Sequence, residues 1–403
     1  MRTKTILRKL LRIEGAILEG ATFTEERKLV VDVRVRSRPR CERCGRRAPR
    51  YDRRVVHWRH FSFGRVRVYL RSKIARVQCS CGVCYQQVPW AESSSRFTSA
   101  FEELVAYVAQ VTDQTHVARL LGLSWRTVGR IIQRVVERRL DASRFHGLRR
   151  IGIDEFSYRK RHRYLTVVVD HDRKRVVWAG PGRSAEALAG FFSQLDQNTK
   201  DSISTVTMDM AGGYIKAVAE HLPNASIVFD RFHVQRLVAD AIDGIRRECV
   251  TSLRGTGRES WVKGMRFILL RHGSELNLDD IDRIAHLGKT SKALQRAWLR
   301  KEELVAIFDE TDPVLARTLL KRWLAWASRS RIPSFVRIGR TLRRHWNGII
   351  AYFDERLTNG LVEGFNNKIR VVARTAYGFH SPDALIARIF LVVGGLSLQP
   401  ELP

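Results

Sequence analysis

The sequence predicts a multidomain protein that combines α/β parts with all-α parts. Three observations support this prediction. Strand-like alternation near the N-terminus is interspersed with paired cysteines, a helix-turn-helix pattern follows, and beyond residue 150 short strands give way to a long helical region. A chain of 403 residues is long enough for about two to four domains.

The N-terminal part carries strand and cysteine patterns. KLVVDVRVRSR alternates apolar and charged residues and predicts a strand, and residues 54–77 alternate again, with Gly64 near the turn of a predicted β-hairpin. Cysteine pairs on separate turns, joined by a hairpin, are typical of a structural zinc site with four thiolates. The candidate ligands are Cys41, Cys44, Cys79, Cys81 and Cys84. Cys79 with Cys84 and Cys81 with Cys84 both close a loop, so spacing alone leaves that choice open, and His57 and His60 are weaker candidates that we expect as hairpin side chains.

A linker and three helices are expected next, over residues 91–98 and 99–140. Gly122 marks a tight turn between the last two helices, and Ser124 is a good N-cap for the second of them. The residues predicted to face a DNA groove are Trp125, Arg126, Thr127, Arg130 and Arg134. An ordinary helical hairpin is the alternative, and the arginines at helical spacing disfavour it.

Isolated acids follow apolar strands in the α/β region. Three strands with hairpin-length gaps precede a strand–helix–strand pattern, and Asp154, Asp209 and Asp230 each come directly after a strand. Clustered carboxylates repel one another unless a cation neutralises them, and oxygen ligands select Mg²⁺ or Mn²⁺. Two such ions suit in-line attack on a phosphodiester. A single Asp more often caps a helix or turn, as we expect for Asp170 and Asp172.

The segment LTNGLVEGFNNKIRVVARTAYGFHS places one carboxylate among cations. We predict a helix in which Glu363 is the third carboxylate of the metal site, while Lys368 and Arg370 hold DNA phosphates. Asn366 and Asn367 lie one helical turn after Glu363. A solvated or salt-bridged glutamate is the alternative for an isolated residue of this kind.

The charge balance indicates a polyanionic partner. The net charge is +31, and residues 1–150 carry 33 basic and 13 acidic residues, a net of +20. Nucleic acid is the simplest such partner. A membrane surface is disfavoured because no run of about 18 apolar residues occurs. The N-terminus shows no signal-peptide pattern and the cysteines indicate metal rather than disulfides, so we expect a cytoplasmic protein.

In combination, these blocks resemble the ISL-three family of bacterial insertion-sequence transposases, part of the DDE group with an RNase H-like catalytic core. The matching blocks are the cysteine finger, the helix-turn-helix, IGIDEFSYRKRHRY, VTMDMAGGY, VFDRFHV and LVEGFNNKIRVVARTAYGF. The resemblance implies a catalytic triad of Asp154, Asp209 and Glu363. It also implies zinc ligation by Cys41, Cys44, Cys79 and Cys84, with Cys81 as the alternative.

Two further features are similar to Mutator-like and hAT transposases. Asp230 and His233 match a C/D-x2-H element linked to the active site. The alternative is that Asp230 caps the next helix and His233 packs in the core. The helical stretch at 235–350 resembles an all-helical insertion between the second Asp and the Glu. Its tryptophans are expected mostly in the core, with one free to stack on an unpaired base. They are Trp261, Trp298, Trp323, Trp326 and Trp346.

The resemblance implies a transposase that binds terminal inverted repeats in double-stranded DNA, cleaves with two Mg²⁺ or Mn²⁺ ions and joins the end to target DNA. We expect at least a homodimer on DNA, associated with the bacterial nucleoid. The rivals are a catalytically silent DNA-binding regulator and a nuclease that does not join ends. The expected domains are a zinc finger (1–90), the helix-turn-helix (91–147), the core (148–234 and 351–403) and the helical insertion (235–350).

Overall fold

The computed structural model describes residues 3–159, 163–210, 212–376, 378, 379 and 381–400. The chain forms two compact units. One comprises residues 1–141 together with 372–403, and the other comprises residues 142–371. The prediction that 351–403 belongs wholly to the core differs from this division, because the residues after 371 group with the N-terminal unit.

The first unit begins with helix α1 (Thr3–Leu11) and a five-stranded sheet. The strands are β1 (Ala16–Phe23), β2 (Lys28–Val35), β3 (Arg50–Arg59), β4 (Arg67–Cys79) and β5 (Gly82–Tyr85). Their order is β1-β2-β4-β3, with β5 paired to β4. The predicted hairpin is confirmed as the antiparallel pair β3–β4, and Gly64 between these strands has a φ of 55°, which glycine adopts without steric cost.

Three helices follow the sheet, as predicted: α2 (Ser99–Val111), α3 (Gln114–Leu121) and α4 (Trp125–Arg139). Gly122 ends α3 in the left-handed conformation, and the Ser124 hydroxyl accepts a hydrogen bond from the Thr127 amide at the start of α4. Apolar residues at helical spacing, including Val128 and Ile132, are buried. The predicted pair of helices joined by a tight turn at Gly122 is therefore present.

The second unit is built on another five-stranded sheet. Its elements, in chain order, are β6 (Arg150–Arg159), β7 (Arg163–Asp170), β8 (Arg175–Pro181), α5 (Ala185–Phe192), α6 (Gln197–Ser202), β9 (Thr205–Met208), α7 (Gly212–His221) and β10 (Ser226–Phe229). The order is β10-β9-β6-β7-β8. Strands β6, β7 and β8 are antiparallel neighbours, whereas β9 and β10 run parallel to β6. The predicted sequence of three antiparallel strands and then crossovers is confirmed.

A helical block then packs onto this sheet. Its helices are α8 (Arg231–Ser252), α9 (Glu259–Gly264), α10 (Arg266–Leu270), α11 (Leu278–Thr290), α12 (Lys292–Asp309), α13 (Pro313–Arg329), α14 (Pro333–Arg344) and α15 (Trp346–Glu355). One continuous apolar core joins the strands to these helices. Trp323 is completely buried and the other four tryptophans of the block are partly buried, which agrees with their expected role in the core.

Two helices complete the chain, α16 (Gly360–Thr375) and α17 (Pro382–Val393). Helix α17 packs on α2 and α4 of the first unit. Its buried apolar side chains, such as Leu385 and Ile389, explain why this helix joins the helix-turn-helix: an apolar face must be covered, and α2 and α4 cover it. Periodicity predicted the helix but could not indicate which surface it would cover.

Candidate functional site

The three aspartates predicted at strand ends lie toward one edge of the second sheet. Asp209 and Asp230 directly follow β9 and β10, whereas Asp154 lies within β6, which continues to Arg159. The last residue pair between the parallel strands β6 and β9 is Gly152–Thr207, and Asp154 and Asp209 each come two residues later. Between β9 and β10 the last pair is Met208–Phe229, and Asp230 comes next. Because these strands run parallel, their carboxyl ends meet at the same edge, where open α/β sheets commonly bind ligands.

Asp154 lies in an environment that disfavours its charge. Burial raises its pKa to about 6; the amide of Glu155 and the His233 side chain act in the opposite direction, and Asp209 and Glu155 add to the rise. The Glu155 amide donates to Asp154 Oδ1 at 2.8 Å. Burial and the charge of Asp209 also raise the pKa of Glu155 itself. A cation among these carboxylates would remove the unfavourable charge.

Helix α16 brings Glu363 to this region. Glu363 lies in its first turn and is exposed to solvent. One turn further along, the buried Asn366 donates from Nδ2 to Asp154 Oδ2 at 2.8 Å. Among the described residues, the acids of the predicted triad do not form a group whose oxygens all lie within 4.8 Å of one another, whereas four cysteines do form such a sulfur cluster. The helix is thus joined to Asp154, and Glu363 remains on the solvent side.

Asp230 caps a helix, and together with His233 it also lies near the other two aspartates of this sheet edge, so both roles considered for this pair are represented. Asp230 is fully buried and caps α8 by accepting from the Phe232 amide. Its Oδ2 also lies 3.3 Å from His233 Nδ1. Asp230 first, and then Asp209 and Asp154, raise the pKa of His233. His233 therefore carries a positive charge more readily than an isolated histidine and partly offsets the charge of the aspartates.

The cysteines of the first unit form the second candidate site. The sulfur atoms of Cys41, Cys44, Cys79 and Cys81 lie within 4.8 Å of one another. This set differs from that implied by the resemblance, which had Cys84. Cys84 Sγ lies 3.2 Å from Cys41 Sγ and shares a small core with Cys41, Ala75 and Val77, but it does not belong to the group of four. The cluster therefore contains Cys81 in place of Cys84.

The turn around Cys41 favours a thiolate. The amide of Cys44 first, then the Cys84 thiol and the amide of Arg43, lower the pKa of Cys41 to about 6 against the effect of burial. Gly45 adopts a φ of 68°, and its amide donates to the Cys41 carbonyl at 2.8 Å. Amide donors directed at a sulfur in such a turn fit a soft divalent cation. His60 has a structural role instead, because it is buried with Nδ1 2.9 Å from Thr98 Oγ1.

The predicted DNA-contacting residues divide into two groups. Trp125, Arg126 and Arg130 on α4 are exposed, and Thr127 is partly exposed. Lys368 and Arg370 on α16 are exposed as well. Arg134 differs from its prediction. Its guanidinium forms an ion pair with the fully buried Glu102 on α2, with Nη2 2.5 Å from Oε1.

Sequence reasoning gave no role to several residues around Asp154. Asn366 was noted only as a neighbour of Glu363, and Glu155 and Asn359 were not singled out. The Asn359 side chain is fully buried and accepts from Thr207 Oγ1 at 2.9 Å. The sequence did contain a signal for Asn366, because two asparagines follow Glu363 by about one helical turn. A buried asparagine amide on that helical face needs a hydrogen-bond partner.

Within the described parts of the chain, no helix combines the length and apolar character needed to cross a bilayer.

Comparisons with known proteins agree with this arrangement. Residues 151–389 match the ISL3-type model described as a transposase, and residues 86–136 match the helix-turn-helix domain of transposase family ISL3. The chain is 37% identical over its full length to the transposase for insertion sequence element IS1557 of Mycobacterium tuberculosis, covering 98% of that protein. It is 29% identical, over 87% of each chain, to the transposase for insertion sequence element IS1001 of Bordetella parapertussis. With a sheet edge of aspartates, a helix-turn-helix and these two matches along its length, the chain belongs to the ISL3 family of transposases.

Proposed function

We propose that this transposase cleaves DNA at the ends of its insertion sequence and joins them to target DNA, with Asp154, Asp209 and Glu363 as the catalytic triad. The observation that carries the proposal is the register of β6 and β9. Asp154 and Asp209 follow the same residue pair by the same number of residues, and α16, which bears Glu363, is hydrogen-bonded to Asp154.

The donor set fits Mg²⁺ or Mn²⁺. Carboxylate oxygens are the ligands these ions prefer, and the raised pKa of Asp154 marks a site where uncompensated negative charge is costly. When bound, two such ions activate the attacking oxygen and stabilise the leaving oxygen of an in-line displacement. The protein's own part is to hold Asp154 and Asp209 at one edge and to offset their charge with His233. No nucleophilic side chain is required, since water and a DNA 3′-hydroxyl serve.

An RNase H-like core is the architecture we assign to the second unit. Three antiparallel strands followed by two parallel strands, with helices in the crossovers, support this assignment. The core would comprise residues 148–234 and the segment that bears Glu363, with 235–350 as the helical insertion. The finger at 1–90 and the helix-turn-helix at 91–147 would bind the DNA.

We propose two separate sets of DNA contacts, one on the exposed side chains of α4 in the first unit and one on those of α16 in the second. Trp125, Arg126, Thr127 and Arg130 would contact terminal inverted repeats, and Lys368 and Arg370 would contact phosphates near the active site. Structural zinc held by Cys41, Cys44, Cys79 and Cys81 would stabilise the finger. Two element ends must be handled together, so the active form would contain at least two copies of the chain.

A cleavage assay tests the proposal. A labelled duplex with the element's own end is incubated with wild type, Asp154→Asn, Asp209→Asn and Glu363→Gln, with and without Mg²⁺. We expect nicking at the element boundary by wild type with Mg²⁺, and loss of nicking with retained binding in each variant. Asp201→Asn and Glu355→Gln change exposed acids and serve as controls.

Two results would count against the proposal. Full cleavage by any triad variant would remove that residue from the site. Tight binding without cleavage by wild type, in Mg²⁺ or Mn²⁺ and with paired ends supplied, would indicate a DNA-binding regulator. Adding a target duplex then separates strand transfer from simple hydrolysis.

A further inference from the structure

Asn366 joins the Glu363 helix to Asp154 through a buried carboxamide. Its side chain is only 3% exposed. Nδ2 donates to Asp154 Oδ2 at 2.8 Å, while Oδ1 has no hydrogen-bond partner among the described residues. A buried acceptor without a partner is uncommon in native proteins and calls for a water or an ion. This carbonyl oxygen belongs to the residue that contacts Asp154.

The chemistry of the pair fixes the orientation of the amide. An ionised carboxylate only accepts hydrogen bonds, so the nitrogen of Asn366 must face Asp154 and its oxygen must face elsewhere. The other oxygen of Asp154 accepts from the Glu155 amide. Each carboxylate oxygen therefore holds one hydrogen bond and keeps further lone pairs for other partners. Two donors from different elements also prevent the carboxylate from rotating.

The position of α16 is fixed at a second point as well. Asn359, directly before α16, accepts from Thr207 on β9, and Thr207 Oγ1 lies 2.8 Å from His171 Nε2. Gly152 leaves the room for this contact, because a Cβ there would lie 2.4 Å from Val362 Cγ2 on α16. The helix is thus attached to β9, which directly precedes Asp209, and packs on β6, which contains Asp154. Glu363 lies between the attachment points.

We propose that Asn366 is a positioning residue of the active site, which orients the Asp154 carboxylate for a divalent cation and offers its own Oδ1 to a water of the cation's hydration shell. Mg²⁺ retains several waters when it binds to proteins, and a buried carbonyl beside a carboxylate is a suitable acceptor for one of them. The inference rests on the proposed metal-dependent function and adds a residue outside the three acids.

The closing experiment measures metal affinity directly. Mn²⁺ is titrated into the DNA-free protein and the free ion is followed by electron paramagnetic resonance. Loss of a residue that orients a metal ligand typically weakens metal binding about 10- to 100-fold. We expect Asn366→Ala and Asn366→Leu to raise the Kd for Mn²⁺ about tenfold or more, and to raise the Mg²⁺ concentration for half-maximal cleavage similarly. Binding to terminal DNA should be unchanged.

Two variants and one control separate positioning from stability. Asn366→Leu keeps the branched shape of the side chain and removes both the unpaired acceptor and the donor to Asp154, so Mn²⁺ is titrated at a temperature where the measured Tm shows each variant to be folded. Asn366→Ala keeps the test available should the leucine variant fold poorly. Asn367→Ala is the matched control, because Asn367 is the next residue, is exposed and contacts Arg370 instead. Its Kd for Mn²⁺ should equal that of wild type.

Asp154→Asn in the same series distinguishes the failure of this inference from the failure of the proposed function. If Asp154→Asn abolishes Mn²⁺ binding at this site while both Asn366 variants stay within twofold of wild type, the role of Asn366 is refuted. If Asp154→Asn itself leaves Mn²⁺ binding and cleavage intact, the metal site is refuted and the role of Asn366 with it.

Discussion

Arg134 on α4 forms an ion pair with Glu102 on α2, a residue whose side chain is completely buried. Ser95 also donates to Glu102 Oε1 at 2.8 Å, and an Arg138 nitrogen lies 3.7 Å from Oε2. Helix α4, the second helix of the helix-turn-helix, is therefore attached through a buried carboxylate to α2, the helix that comes before the helix-turn-helix. Arg134 stabilises the domain instead of facing DNA.

Removing Arg134 should destabilise the first unit. Breaking a buried ion pair by deleting one partner leaves an uncompensated charge and costs about 3–5 kcal/mol. Because Arg138 and Ser95 remain near Glu102, we expect Arg134→Ala to cost about 3 kcal/mol, at the lower end of that range. A denaturant titration of the full chain measures the loss. Arg134→Ala combined with Glu102→Leu should recover stability, and a double variant as unstable as the single one would contradict the assignment.

Arg126 and Arg130 should instead affect DNA binding. Each exposed arginine that neutralises a phosphate contributes about one unit to the slope of log affinity against log salt. We expect Arg126→Ala and Arg130→Ala to weaken binding to a terminal-repeat duplex and to reduce that slope by about one each. Fluorescence anisotropy at several salt concentrations measures both quantities. Arg126→Lys and Arg130→Lys keep the charge, and an unchanged slope in the alanine variants would place these residues away from phosphates.

Local patterns in the sequence predicted most of the elements that matter. The hairpin follows from alternation, and the helix-turn-helix follows from Gly122 and Ser124, because turn and cap chemistry depend on residues that are close in sequence. The three aspartates were predicted because each ends an apolar strand. Parallel pairing then brings them to one edge, as the register of Gly152 and Thr207 shows.

The features that were missed depend on contacts between distant parts of the chain. Arg134 looked like a groove-facing residue because its partner, Glu102, lies 32 residues away. Cysteine spacing left Cys79 and Cys81 as alternatives beside Cys84, whereas the sulfur cluster of the folded chain contains both of them and not Cys84. Asn366 contacts a residue 212 positions earlier, and no periodicity reports such a pairing.

The buried charge of Asp154 should make the metal-free protein less stable at neutral pH. Its pKa is raised from 3.8 to about 6, so the folded state binds this proton more tightly than the unfolded state. Stability is therefore lost as pH rises through this window, by about 3 kcal/mol. We expect Asp154→Asn without metal to have a higher Tm than wild type at pH 7.5, with the difference shrinking toward pH 5.

Divalent metal should reverse the order of the two Tm values, so that wild type melts at a higher temperature than Asp154→Asn. Mg²⁺ or Mn²⁺ stabilises only the protein that binds it, so the Tm of wild type should rise with metal and that of Asp154→Asn should not. Asp201→Asn changes an exposed aspartate and should follow wild type at every pH. If Asp154→Asn melted at or below the Tm of wild type at pH 7.5 without metal, Asp154 would not be a buried charge in need of a cation.

Zinc content distinguishes the cysteine sets. We expect the full chain to contain one zinc per copy, and Cys81→Ser to lose it, because Cys81 belongs to the cluster in which every pair of sulfur atoms lies within 4.8 Å. Cys84→Ser should retain zinc, since Cys84 does not belong to that cluster. Elemental analysis of the purified variants measures the ratio. Zinc retained by Cys81→Ser and lost by Cys84→Ser would restore the set that the resemblance implied.

The last helix of the chain should be needed for DNA binding. Leu385 on α17 is fully buried, and Gln110 on α2 donates to the Leu391 carbonyl at 2.9 Å. Arg388 of α17 lines a cavity of about 230 Å³ together with Arg126 and Arg130. Helix α17 therefore supports the surface on which the proposed DNA contacts lie.

We expect Leu385→Ala to destabilise the first unit by about 2–5 kcal/mol, the usual cost of truncating a buried leucine. Affinity for the terminal-repeat duplex should fall with it, although position 385 lies far along the chain from the helix-turn-helix. The control is Leu299→Ala, the same change at a side chain that is 53% exposed in the second unit. Two outcomes would show that α17 is not part of the DNA-binding domain. In the first, Leu385→Ala destabilises only the second unit. In the second, Leu385→Ala binds DNA as tightly as wild type at a temperature where its first unit is half unfolded. Loss of both stability and binding would mean that this domain is assembled from the two ends of the chain.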